Sequence, residues 1–436
     1  MTNQFGIFFY QYDKKTYELK NSYDLYKLIH HLMKRILSIY LDSFKGLSQA
    51  AWLLAIVMLI NRMGSMVIPF LGLYMTQVLH FDIKQVGVVL MSYGFGSVCG
   101  SYIGGWLTDR IGSFKVQFGS LVLAAPLFLL IPHFKEVQSL SIMIFTLSLI
   151  FDAFRPANSV SVASYAKPEN ITRAFSLNRL AINLGFSIGP AVAGFLATIS
   201  FNWIFYGNSF AVLCAAVIFF VFFHKREKRS DIKSKKEITP ENELTQKGRN
   251  PYTDLPFVLF NIFCCIFSFC FFQLITTLPL FYREVHHLND HQIGFLLGWS
   301  GFVIVLLEMF IVHIAEKRFS LISTLVFGTF LCASSYAMLN FTGGLGWLYF
   351  TFFIFGLGEM LTLPFMATVS VNRSTPKTQG AYMGFNSLAF SAANIFSPLL
   401  GTSIVDSFGF TTLWWATALT LSATAIGFYL VLRWMK

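Results

Sequence analysis

Charge is what this sequence has little of. Lys, Arg, Asp and Glu make up 12% of its 436 residues, about half the share in a soluble globular chain. A water-facing surface cannot be assembled from so few charged side chains, which argues against a soluble enzyme. Cysteine is sparse too. All six (Cys99, Cys214, Cys264, Cys265, Cys270, Cys332) lie in apolar runs without metal spacing or a disulfide framework. They read as small packing residues. No nucleophile–base set, Walker motif or metal quartet is present, so an enzyme is the least favoured class and no cofactor is implied.

What is there is apolar. Hydrophobic residues reach 55%, with 50 phenylalanines. A helix needs roughly 20 mostly apolar residues to cross a bilayer, and such runs recur from Ala50 to Leu432. The expected fold is an all-α integral membrane protein with twelve transmembrane helices. The first six spans are predicted at 51–76, 85–107, 115–133, 139–165, 174–199 and 203–223. The second six are at 255–282, 292–315, 320–340, 346–369, 381–405 and 410–432. Between them, His224–Asp254 is charged and aperiodic, a flexible connector. The expected domains are an N-terminal extension (1–46), a six-helix bundle (47–223), the connector (224–254) and a second bundle (255–436).

Basic residues outnumber acidic ones, 32 to 21. Once the spans are drawn, 27 of the 32 fall on the side holding both termini. Lys167, Arg173 and Arg179 are counted there as the loop before the fifth span. Lysine and arginine gather in cytoplasmic loops, so both termini are expected on the cytoplasmic side of the cell membrane. The basic excess then needs no nucleic acid.

The two halves repeat. A shift of 207 or 208 residues lays Gln85–Gly96 on Gln292–Val303 and Ser176–Pro190 on Gly384–Pro398. It also pairs Asn178 with Asn386 and Asp152 with Glu359. Several matches at one offset indicate duplication. A parallel six-plus-six repeat is the plan of secondary transporters that rock two bundles about a midplane site. Before the first span, Leu25, Leu28, Leu32, Ile36 and Ile39 follow helical spacing among basic residues. This predicts an amphipathic surface helix, a regulatory element or, more simply, an anchor or translation from a start upstream of Met33. No cleavable signal peptide is apparent.

Between the second and third spans stands GGWLTDRIGSFKV, Gly104–Val116. Gly105, Leu107, Asp109, Arg110, Gly112 and Lys115 together resemble the loop signature of the major facilitator superfamily. With the twelve spans and the repeat, the resemblance covers residues 50–432. It implies two pseudo-symmetric six-helix bundles, no enzymatic activity, a small-molecule substrate and a monomer in the bilayer. Gly112 permits a tight turn and Gly105 a close helix approach. Asp109 is expected at the N-terminus of the eleventh helix, where the dipole favours an anion. Arg110 and Lys115 are expected to pair with acids or to hold the loop at the surface. Ser113 and Phe114 replace further basic residues of the signature.

Five ionisable residues stand out within the spans: Arg62, Asp152, Arg155, Glu308 and Glu359. Each costs about 2.5–3.5 kcal/mol to insert, so each is a functional candidate. Asp152 and Arg155 share a helical face, and Arg62 is left to serve one more acid. Three acids against two arginines leave one carboxylate free to carry a proton. Glu359, expected to face Asp152 across the symmetry axis, is the first choice, and Glu308 the second. Gln273 is a candidate polar contact to substrate.

The stretches Phe151–Pro156 and Gly356–Pro364 resemble the fourth and tenth spans of multidrug:proton antiporters in the superfamily. Gly185, Gly189, Pro190 and Gly194 resemble their fifth-span signature, implying a pliable wall where the bundles meet and export driven by a proton gradient. A proton-coupled importer of peptides, sugars or other nutrients is the alternative. The double-acid-plus-arginine pattern of peptide symporters is missing from the first span, and sugar-porter signatures are missing from the central connector. A membrane receptor or scaffold is a third reading. His286, His287 and His291 read as a solvated outer-loop cluster.

Overall fold

A computed structural model of the chain describes residues 22–63, 67–237, 249–341 and 343–435. Among them the fold is all helical, without strands. Residues 1–46 and 47–436 form two separate compact units. The first contains α1 (Ser22–Phe44); the side chains of Leu25, Leu28, Leu32 and Ile36 lie outside the described residues.

In the second unit, α2 (Gln49–Met63) and α3 (Val67–Gln77) cover the first predicted span. They are followed by α4 (Ile83–Ile111), α5 (Ser113–Leu130), α6 (Val137–Asp152), α7 (Phe154–Tyr165), α8 (Ile171–Ile199) and α9 (Phe201–Glu237). The second half has α10 (Leu255–Thr276), α11 (Leu278–Glu284), α12 (Asp290–Arg318), α13 (Leu321–Met338), α14 (Leu345–Arg373) and α15 (Gln379–Trp434). Among the described residues, ten helical segments are long and apolar enough to cross a bilayer. Of these, α15 is two helices joined at Gly409, whose φ of 80° breaks the helical path. With the shorter α2–α3 pair, the described residues approximate the expected twelve. Residues 238–248 of the connector lie outside the described residues, but its start does not: α9 continues as helix through Glu237 rather than ending near 223.

Local chemistry explains where the helices begin. Asp82 caps α4 in a reciprocal box, its carboxylate accepting from the Gln85 N–H while the Gln85 side chain accepts from the Asp82 N–H. Asn289 and Gln292 form the same box at α12. Such boxes satisfy two otherwise orphaned donors. His80 and His287, two residues before the caps, are the only described non-glycine residues with positive φ, at 57° and 53°. Both pairs are separated by 207 positions, so the duplication preserves even the backbone of the turn.

The fourth span breaks where a proline removes a donor. Pro156 cannot donate to the carbonyl of Asp152, and the fourth span divides into α6 and α7 at Ala153. Close packing uses glycine. Gly96, Gly100 and Gly104 lie one turn apart on α4 and abut Ser148, Leu149 and Ala153 of the fourth span. This is the small-residue packing expected where lipid supplies no hydrophobic drive between helices. Phenylalanine serves both sides of the helices. Phe257, Phe260 and Phe267 are buried in the second-half core, whereas Phe210, Phe295 and Phe408 are at least 70% exposed. Outward rings of that kind suit a lipid-facing belt.

At the start of α10, Asp254 accepts two hydrogen bonds from Arg373, at 2.8 and 2.9 Å, and a third from the Tyr382 hydroxyl at 2.9 Å. The Arg373 guanidinium holds the Asp254 carboxyl below its ordinary value near 3.8. A depressed carboxyl stabilises the fold above its unfolded pKa and loses that contribution as pH falls through the folded value. Asp254→Asn is therefore expected to destabilise the protein by about 2 kcal/mol at neutral pH. Melting of the detergent-solubilised protein should show this gap at pH 7 and its closure below about pH 4.

Candidate ion-coupled gate

The signature loop sits at the end of the unit that also carries the connector. There, Gly112 has a φ of 90° and turns α4 directly into α5. One turn earlier, the Asp109 carboxylate accepts from the backbone N–H groups of Gly380 and Ala381, at 2.6 and 2.7 Å. Those are orphan donors of the first turn of α15, so the anion gains both hydrogen bonds and the helix dipole. Gly105 makes the approach possible: a Cβ there would lie 2.6 Å from the Gly380 carbonyl oxygen and 2.9 Å from the Gly384 Cα. Arg110 stacks over the Trp106 ring at 4.0 Å. Neither Arg110 nor Lys115 forms an ion pair among the described residues, which corrects the expected acid partners; stacking on an adjacent indole leaves the Arg110 charge in the interface.

Three further ties join first-half to second-half helices. Arg173 Nε is 2.9 Å from Glu316 Oε2, and Thr368 donates to Thr172 at 3.0 Å. Deeper in, Ser391 is 3.1 Å from Ser97 and 3.3 Å from Ser101. The connector end is closed by these contacts.

Further along the same interface lies a triad. Arg179 of α8 places Nε 2.7 Å from Glu308 Oε1 of α12 and Nη1 3.0 Å from Glu359 Oε1 of α14. Glu308 is fully buried and Glu359 is 4% exposed. The remaining oxygens, Oε2 of each acid, have no hydrogen-bond partner, and neither does Arg179 Nη2. By helical rise, Arg179 stands about 12 Å from the start of α8, Glu308 about 15 Å from the end of α12 and Glu359 about 21 Å from the end of α14. The second half thus contributes two carboxylates to one guanidinium of the first.

This corrects two expectations. Glu359 is not a carboxylate without a fixed partner, because Arg179 belongs to the membrane interior and not to the loop before the fifth span. Nor does Glu359 face Asp152. Asp152 is wholly buried in another group, with Oδ1 2.8 Å from Arg155 Nε. Arg62 and Tyr93 are the other electrostatic neighbours of that pair. Arg62 has no acid partner among the described residues, contrary to the role expected of it; the nearest acid is already engaged with Arg155.

Gln273 is also reassigned. Its amide donates to the Ser397 carbonyl and hydroxyl, both at 3.2 Å, and accepts from Thr277. With its bonds consumed between α10 and α15, the side chain is a helix–helix tie and not a free contact for substrate. The fifth-span glycines face inward within the first half. Gly185 meets the Cβ of Arg62, and Gly189 lies against the Met63 backbone. They bring α8 onto α2 instead of thinning a wall between the halves, while Gly194 has no neighbour that a Cβ would meet within 4 Å. The side chain of Pro190 lies outside the described residues, and α8 runs through that position without a break.

Comparison with known proteins agrees with this architecture. The family model described as Major Facilitator Superfamily matches residues 52–372 and 284–436. The MFS-type transporter YttB of Bacillus subtilis is 27% identical over 83% of this chain and 89% of its own length. Multidrug resistance protein 2 of the same organism is 26% identical, covering 78% of this chain and 84% of that protein. Among solved structures, the human organic anion transporter MFSD10 superposes with a TM-score of 0.67 at 12% identity, over 87% of this chain and 98% of that one.

Proposed function

The chain belongs to the major facilitator superfamily, and as a transporter of that fold we propose that it expels small amphipathic molecules in exchange for protons. The observation that carries this reading is the buried Arg179–Glu308–Glu359 triad, which joins the two halves with one carboxylate more than its guanidinium can balance. Similarity to relatives such as multidrug resistance protein 2 points the same way.

The connector end is assigned to the cytoplasm from its basic loops. With that end closed, this conformation is read as the outward-facing state of the cycle. A proton arriving from outside brings the triad to neutrality and releases one arm of Arg179. Glu359 receives it, because its bond to Arg179 is longer than that of Glu308, 3.0 against 2.7 Å, and its carboxyl is less completely buried. A weakened triad lets the halves part at the cytoplasmic end, where the proton leaves and substrate enters. Return to the outward state restores the ion pairs. Protonation biases the equilibrium only through this differential contact between states.

Everted vesicles carrying an imposed proton gradient test the cycle. A panel of lipophilic acids, amines and neutral compounds is expected to include members that collapse the gradient only when the protein is present. Gradient-driven accumulation in whole cells, with no collapse in everted vesicles, would make the protein an importer instead.

A further inference from the structure

The first helix has no part in the gate. α1 (Ser22–Phe44) belongs to a compact unit of its own, and alone it is not one of the segments apolar enough to cross a bilayer. Its described apolar side chains are nevertheless exposed. Met33, Leu37 and Leu41, each about one turn from the next, are 64%, 57% and 54% exposed, and Tyr26, two turns before Met33, is exposed as well. Residues at this spacing share one strip of a helix. Positions 25, 28, 32 and 36, all leucine or isoleucine, fall in the adjoining strip by the same register. Lys27, Lys34, Arg35 and Asp42 keep to the remaining arc. From Ser22 to Lys45, four basic residues stand against two acidic ones, and Lys45 Nζ is 2.7 Å from Asp42 Oδ1.

A lone apolar residue on a surface is ordinary. A strip of them along a helix with a basic opposite arc is the pattern of a helix lying in the headgroup boundary. Chain connectivity selects the occupant. Only residues 45–48 separate α1 from α2, the start of the first span, a tether of about 17 Å at full stretch. The far end of that tether is fixed. Ser48 Oγ donates to the Tyr165 carbonyl at 2.7 Å, and Arg226 Nη2 donates to Gln49 Oε1 at 3.2 Å. Trp52, exposed in the first turn of α2, is of the residue type that marks the headgroup level. A bilayer held so near is met at an effective concentration of about millimolar or more, ahead of any partner that must diffuse in. The basic excess suits a leaflet that contains anionic lipid.

We infer that α1 lies in the membrane surface at the connector end and selects anionic lipid, with Met33, Leu37 and Leu41 among the acyl chains and Lys27, Lys34 and Arg35 at the anionic headgroups. The apolar strip attaches the helix to any bilayer. The basic arc supplies the preference, about fivefold for each Lys or Arg near an anionic surface. This goes beyond the export reading and does not rest on it.

Hydrogen exchange of the unaltered full chain, one copy per lipid nanodisc, tests this in phosphatidylcholine alone and with a third of the lipid replaced by phosphatidylglycerol. Amides of residues 22–44 are expected to exchange at least about tenfold more slowly with the anionic lipid, and salt at about 0.5 M should erase the difference. Met33→Ser with Leu37→Ser should speed exchange in both lipids, because the apolar strip serves both. Lys34→Gln with Arg35→Gln should remove the preference for anionic lipid and leave exchange in phosphatidylcholine unchanged. Equal exchange of the unaltered protein in the two lipids, whether fast or slow, overturns the inference. So does slow exchange that survives both serine substitutions, or that appears only with two copies per disc, which would assign the strip to a second copy of the chain. Exchange reads no transport, so failure of the antiport reading leaves this inference standing, and its own failure leaves the antiport reading untouched.

Discussion

Glutamine in place of Glu359 is expected to abolish proton-driven transport while substrate still equilibrates down its own gradient. The amide copies the shape of a protonated carboxyl, so the triad keeps Glu308 on Arg179 Nε at 2.7 Å and loses the second charge permanently. Everted vesicles should then show no substrate-dependent collapse of an imposed gradient, whereas exchange of labelled for unlabelled substrate persists. Continued proton-driven transport by Glu359→Gln would eliminate the assignment. Arg179→Met has the opposite physical effect. It strands two carboxylates in the interior, and loss of one partner from a buried ion group costs about 3–5 kcal/mol. That variant should melt well below the parent protein. Adding Glu308→Gln and Glu359→Gln to it should recover much of the stability, because the stranded charges disappear together.

Arg179 is the residue that sequence reasoning misplaced, and the reason is physical. It stands only about 12 Å inside α8, next to a loop already rich in Lys167 and Arg173. A count of positive charge by side absorbed it into that loop. The signal was nonetheless present, since the predicted span 174–199 contains position 179. Repeat elements were easier to see. Gln85 and Gln292 mark matching capping boxes because capping is local chemistry, set within four residues of chain. The partner of a charge is not local. Nothing near Glu359 in the sequence specifies an arginine 180 positions earlier, and nothing near Gln273 specifies Ser397. Asp152 and Arg155 pair as their three-residue spacing allows; the arrangement of their group relative to the triad required the folded interface.

Gly105→Val is expected to disable transport without preventing membrane insertion. Position 105 sits where α4 crosses the first turn of α15, and even a Cβ would come within 2.6 Å of the Gly380 carbonyl oxygen. On both sides the obstacle is backbone, Gly380 on one and Gly384 on the other, so no rotamer change relieves it. Packed interfaces do not deform smoothly around added methyl groups. The helices must separate, and with them the Asp109 carboxylate leaves the Gly380 and Ala381 N–H groups it meets at 2.6 and 2.7 Å. Charge-assisted bonds of this kind contribute about 1.5–3 kcal/mol each when buried, a difference large enough to shift a two-state equilibrium by more than tenfold. The variant should therefore rest with its connector end open. Alkylation of a cysteine placed at Thr108 would rise at least about tenfold in Gly105→Val relative to the otherwise unaltered protein. Gly87→Ala is the control on the same helix, since a Cβ at Gly87 meets nothing within 4 Å. It should leave transport intact and add about 0.5–1 kcal/mol of stability. Equal transport by the two variants would separate Gly105 from the gate and leave Asp109 as an ordinary helix cap.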